Sequence, residues 1–213
     1  MSQISQTPLG LPEPGRLYRL GWGLYLGMAL AACLWIGLRQ GVIPLALFID
    51  LEEWWLDLLL GLGSGLVLLG LWWGTERLSP LARDLERHLS LVLATLGPSE
   101  ALALALLSGF AEELFFRGAV QGQLGWIIAT VLFALLHTGP GPAFRIWTAF
   151  AALAGVFFGG LLVWRGNLLG PIVGHILVNA VNLRRLAVSG GAGSPKGDSV
   201  RLPRGSAQSE KES

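Results

Sequence analysis

The chain has 213 residues, 53% of them hydrophobic and 14% charged, with a mean hydropathy of +0.59. Soluble domains carry about 25% charged residues, so this composition points to a polytopic membrane protein. A formal net charge of +1, with Lys and Arg gathered at the ends of oily segments, offers no basic surface for nucleic acid, and a single cysteine, Cys33, excludes an internal disulfide framework or a thiolate metal cluster.

Residues 1–15, with Pro8, Pro12 and Pro14, read as a disordered lead-in. The apolar run from Tyr18 to Leu38 is longer than a signal-peptide core and lacks a small-residue cleavage site, so it reads as an uncleaved transmembrane helix. In the second span, Trp54-Trp55 and Trp72-Trp73 bracket an apolar run about 27 Å long, which predicts aromatic belts at both interfaces. Ser79-Pro80 then supplies a cap and first-turn pair. Leu81, Leu85, Leu89, Val92 and Leu96 follow at helical spacing, opposite Arg83, Asp84, Glu86 and Arg87, which predicts an amphipathic helix lying in the interface. His88 sits among those charges and is assigned no chemistry.

Gly97-Pro98-Ser99 restarts the chain into a third span that runs to about Gln123. The fourth, Gly125 to His137, is too short to cross a hydrocarbon core of about 30 Å. It ends at Gly139-Pro140-Gly141-Pro142, and irregular backbone at that depth requires either surrounding protein or a water-filled cavity. Spans five and six cover Ala143 to Trp164 and Leu168 to Ala187, and residues 188–213 read as a disordered tail.

The expectation is an all-α polytopic membrane protein of about six transmembrane helices plus one interfacial helix. Residues 16–98 hold two spans and the interfacial helix; residues 99–187 form a four-helix core. Arg16, Arg19, Arg77, Arg83, Arg87, Arg184 and Arg185 against the acidic Asp50, Glu52 and Glu53 place both termini in the cytoplasm, in a cell (inner) membrane. The pairs Gly23/Gly27, Gly61/Gly65 and Gly155/Gly159 predict close helix packing.

Three polar clusters interrupt the oily segments: Glu112-Glu113-x-x-x-Arg117, Phe133-x-x-x-His137 and His175-x-x-x-Asn179. Each central Glu or Arg costs roughly 2.5–3.5 kcal/mol to insert, a cost that folding alone does not require. Four residues apart on a helix, Glu113 and Arg117 share a face and form an ion pair. Glu112 points about 100° away and is left as a carboxylate without its own cation, suited to accept a proton. Counting along the spans at 1.5 Å per residue brings Glu112, His137, His175 and Asn179 within roughly 10 Å of one another in depth, so one cavity can hold all four. Phe133, one turn before His137, can orient that ring. Each residue alone has a structural explanation, as an ion pair or as interhelical glue; the set at one depth argues for a site.

These clusters resemble the three ordered motifs, EExxxR, FxxxH and HxxxN, of the CAAX prenyl endopeptidase and bacteriocin-processing (CPBP, or Abi) family of intramembrane peptidases. The resemblance covers residues 99 to about 187. It implies an endopeptidase built on a four-helix core, with Glu112 and His137 activating a water and His175 with Asn179 stabilising the oxyanion. Its substrate would be a peptide, a prenylated protein or another membrane-associated protein. No His-Glu-x-x-His is present to place two nitrogen ligands one turn apart, so a glutamate-type hydrolysis is favoured and zinc is kept as the alternative cofactor. Other classes consistent with the residues are a proton-coupled transporter, against which the lack of an inverted repeat counts, and a non-catalytic membrane adaptor or bacteriocin-immunity protein.

Overall fold

The structure is a computed structural model and describes residues 15–192. The lead-in before residue 15 and the tail beyond residue 192 lie outside the described residues. Seven helices carry the fold, and no strand occurs among the described residues. They are α1 (Arg16–Gln40), α2 (Trp54–Leu78), α3 (Pro80–Leu93), α4 (Pro98–Glu112), α5 (Trp126–Leu136), α6 (Ala143–Arg165) and α7 (Leu169–Ala192). Beyond Glu112 the helix of α4 continues in wider π-helical turns over Glu113–Gln121.

By length and apolarity α1, α2 and α6 can cross a membrane, and a fourth span results if α3 and α4, bent by 112°, count as one. The 11 residues of α5 are too few to cross. Helix α7 has the length, 24 residues, but His175, Asn179, Asn182, Arg184 and Arg185 dilute its apolar character. Large side chains such as Leu20, Leu30, Leu66, Ile127 and Val163 point outward, as a lipid-facing surface requires.

Helix α7 is the central element, packed along both α2 and α4. Its crossing with α2 is made by glycines from both sides. A Cβ at Gly61 would lie 2.5 Å from the Gly170 carbonyl oxygen, and one at Gly174 would lie 2.8 Å from the Gly61 carbonyl oxygen. Backbones this close leave no room for a side chain, so Gly61→Leu must force the helices apart. We expect a loss of about 1–3 kcal/mol or more, read as a lower midpoint of thermal unfolding in detergent.

Gly155 and Gly159 are likewise covered, by Thr130 and Trp126 of α5. The expectation fails for Gly23 and Gly27, which have no atom within 4 Å of a notional Cβ. They lie on the outer face of α1, whose packed face carries Gly21, Tyr25, Met28, Ala32 and Ile36. The aromatic belt also needs correction at one position. Trp72 is buried, edge-on to Phe150 at 5.1 Å, and packs with Leu85 and Ala143, whereas Trp54, Trp55 and Trp73 are exposed.

The amphipathic helix forms as expected, with Ser79 Oγ accepting from the Ala82 amide and Pro80 in the first turn. It ends at Leu93, short of Leu96, and buries Ala82 and Leu85. Helix α7 runs past the expected end at Ala187 to Ala192, with Gly190 packed closely against the Ser90 carbonyl on α3. Arg185 bridges Glu76 of α2 and Glu86 of α3, which ties three helices together at that end. At the opposite end Asp57, fully buried on α2, accepts from Arg165 at 2.5 Å and from Asn167 at 2.7 Å, pinning α2 to the turn between α6 and α7.

Candidate functional site

Glu112 closes the regular part of α4, and Glu113 opens the π-helical stretch. A π-helix has more residues per turn than an α-helix, so successive side chains diverge less around the axis. That lets a single imidazole on α7 span both carboxylates. His175 Nδ1 lies 2.6 Å from Glu113 Oε1, while its Nε2 lies 3.8 Å from Glu112 Oε2. Glu113 Oε1 also lies 3.0 Å from Arg117 Nη1, at an angle that makes it a close ion pair without a directed hydrogen bond. The ion pair expected from the four-residue spacing is present, and its carboxylate additionally holds His175.

His137 arrives at the C-cap of α5, where the helix gives way to the Gly-Pro turn. Its Nδ1 lies 2.7 Å from the Phe133 carbonyl oxygen, and its Nε2 lies 3.8 Å from Glu112 Oε2. A carbonyl oxygen can only accept, so Nδ1 carries the proton and Nε2 is turned to Glu112. The same logic applies at His175, whose Nδ1 donates to a carboxylate. Both rings therefore present Nε2 to one oxygen of Glu112, and that buried oxygen has no hydrogen-bond partner among the described residues.

Aromatic rings lock this arrangement. Phe133 packs on His137 at 4.4 Å between centroids, and Phe158 stacks on His175 at 5.5 Å. The Arg117 guanidinium sits 4.3 Å above the Phe133 ring, so Phe133 both orients the imidazole and covers the buried cation. Asn179, one turn below His175, donates to Ser108 Oγ at 2.9 Å. Glu112, His137, His175 and Asn179 all line one cavity of about 350 Å³, together with Tyr25, Ser108 and Trp147.

Those last three residues escaped the sequence reading. Ser108 precedes Glu112 by one turn and so shared its face, a signal that was present but bland. Tyr25 comes from α1, and nothing in the sequence tells which face of that helix meets α4. Trp147 stands edge-on to His137 at 5.5 Å and reaches the site only because the Gly-Pro turn folds α6 back on α5. Among the described residues no group of three His, Cys, Asp or Glu side chains is arranged to hold a metal ion. Glu113 is engaged by Arg117 and His175, which leaves Glu112 with two imidazole nitrogens at 3.8 Å.

Residues 95–181, which contain all three polar clusters, match the family described as Type II CAAX prenyl endopeptidase Rce1-like. Over this segment the chain is similar to the Rce1-like family. The resemblance expected from the motifs is thus borne out over the segment that carries them. A further relative, the uncharacterized protein YpbD of Bacillus subtilis (strain 168), is 37% identical over 83 residues, which cover 37% of this chain and 41% of that protein. The match therefore takes in less than half of YpbD's length. No solved structure matches the chain. Tyr25, on α1, lies outside the Rce1-like segment yet lines the same cavity.

Proposed function

We propose that the protein is an intramembrane endopeptidase of glutamate type, with Glu112 as general base. The observation that carries this reading is the placement of Glu112 Oε2 at 3.8 Å from Nε2 of both His137 and His175. That gap is too long for a direct hydrogen bond, but a water about 2.8 Å from the carboxylate and about 2.8 Å from an imidazole closes a triangle on it. The Rce1-like match supports the reaction class.

In this mechanism Glu112 takes a proton from the water, and the resulting hydroxide attacks the scissile carbonyl. His137, held through Nδ1, accepts a hydrogen bond from the same water at Nε2 and aligns it. Asn179 has a second amide hydrogen free for the developing oxyanion. His175, when protonated at Nε2, adds another donor, and Glu113 on the far side of the ring balances that charge. As the carbon–nitrogen bond breaks, the proton held by Glu112 passes to the leaving amine, giving one carboxylic acid and one amine. No step is routed through a metal.

The substrate is a peptide or a membrane-associated protein, prenylated or not. Arg16, Arg19, Arg77, Arg83, Arg87, Arg184 and Arg185 support an orientation with this end of the bundle in the cytoplasm of a cell (inner) membrane. Purified protein in detergent should cleave internally quenched peptides, and His137→Ala should abolish cleavage while the circular dichroism spectrum keeps its helical form. Activity should survive exhaustive chelation; loss on chelation with recovery on adding zinc would replace the glutamate mechanism with a metallopeptidase.

A further inference from the structure

A second cavity of about 380 Å³ opens beside the first, between α1, α3, α6 and α7. The two share Leu17, Tyr25, Leu93, Trp147, Asn179 and Leu183 as common walls, so they lie directly side by side. Apart from Glu86 and Arg185, which bind each other at its mouth, its lining is almost entirely hydrocarbon and aromatic. The exceptions include two asparagines of α7. Asn179 is tied to Ser108. The Oδ1 of Asn182 is buried and has no hydrogen-bond partner among the described residues.

A buried acceptor without a partner is destabilising, so its retention in an oily wall calls for a cause. Asn182 follows His175 and Asn179 down one face of α7. A peptide can be cut only where its helix is opened, and an opened strand in an apolar cavity carries backbone N–H groups that need acceptors. The orphan acceptor is closed off from the cavity in this structure, and a half-turn of the Asn182 amide about its Cβ–Cγ bond brings it to the orphan donors of such a strand.

Resting on the peptidase reading, we propose that this second cavity is a substrate subsite in which the Asn182 amide receives a backbone N–H of the extended peptide flanking the scissile bond. Asn182 lies seven residues beyond His175, about 10 Å along the helix axis. An extended chain advances about 3.3 Å per residue, so the bonded N–H belongs to a residue about three positions from the cut.

The test takes the full chain in detergent and the best-cleaved member of a set of internally quenched decapeptides of random sequence. Asn182→Leu should raise KM about tenfold with kcat within about twofold, and should not lower thermal stability, because it removes an unpaired polar group. Asn182→Ala serves in the same way if the leucine does not fit. Replacing backbone N–H groups one at a time by ester oxygens should raise KM for the wild type at one position about three residues from the cut, and not for Asn182→Leu.

An unchanged KM in both variants, or an ester effect of equal size in wild type and variant, overturns the subsite. Cleavage that persists in Glu112→Gln, or its absence from the wild type, overturns the peptidase reading and the subsite with it. Glu112-dependent cleavage with KM unmoved in Asn182→Leu overturns the subsite alone.

Discussion

Glu112→Gln is expected to lower kcat by about 10²–10⁴-fold, the span that a positioned general base contributes, without destabilising the fold. The change keeps the side chain's shape and removes only its charge and its capacity to take a proton. Glu112 makes no close ion pair: its nearest charged partners are imidazoles at 3.8 Å, and one of its oxygens is buried without a hydrogen bond. A residue selected for stability would not be left so, and neutralising it should leave the unfolding midpoint unchanged or raised. Activity and stability therefore separate at this position. If Glu112→Gln instead unfolds the protein, the carboxylate is a structural element and the assignment of the base fails; if activity is retained in full, the mechanism fails outright.

The polar clusters were legible in the sequence because the bilayer penalises each of their members, so a Glu, His or Asn at mid-depth stands out against Leu and Val. Counting residues along each span sufficed to bring Glu112, His137, His175 and Asn179 to one level, and the cavity that holds all four bears out that arithmetic. Rotation about the helix axis was much less legible. Gly23 and Gly27 on α1 have the same small-residue spacing as Gly61 and Gly65 on α2, yet one pair faces outward and the other meets the backbone of α7. In lipid both faces of a helix are apolar, so the pattern that orients a helix in water is missing. For the same reason Tyr25 could not be assigned to the cavity, nor Trp72 to the interior. The π-helical turns after Glu112 were also invisible, since no residue type encodes them; they begin at Glu113, whose Oε1 is shared by Arg117 and His175. Asp57 was readable as a charge near the start of the second span, but its partners Arg165 and Asn167 lie more than a hundred positions away.

Glu113→Ala should lower both activity and stability, the latter by about 3–5 kcal/mol, because it strands the Arg117 guanidinium in the interior. Arg117 is 2% exposed and Glu113 is fully buried, so no water can replace the lost carboxylate. The Phe133 face beneath the cation recovers a small part of the loss. Replacing both partners, Glu113→Leu with Arg117→Met, should restore most of the stability, since a buried ion pair is typically worth no more than well-packed apolar groups of similar size. Activity should not return with it. Without the Glu113 carboxylate, His175 Nδ1 loses the acceptor 2.6 Å away that fixes its ring, and a deficit on the order of 10²-fold or more in kcat should persist in the refolded double variant. Thermal unfolding and peptide cleavage measured on the same detergent preparations distinguish the outcomes. A double variant that is both stable and fully active would mean that Glu113 serves Arg117 alone, and that His175 needs no carboxylate to hold it in place.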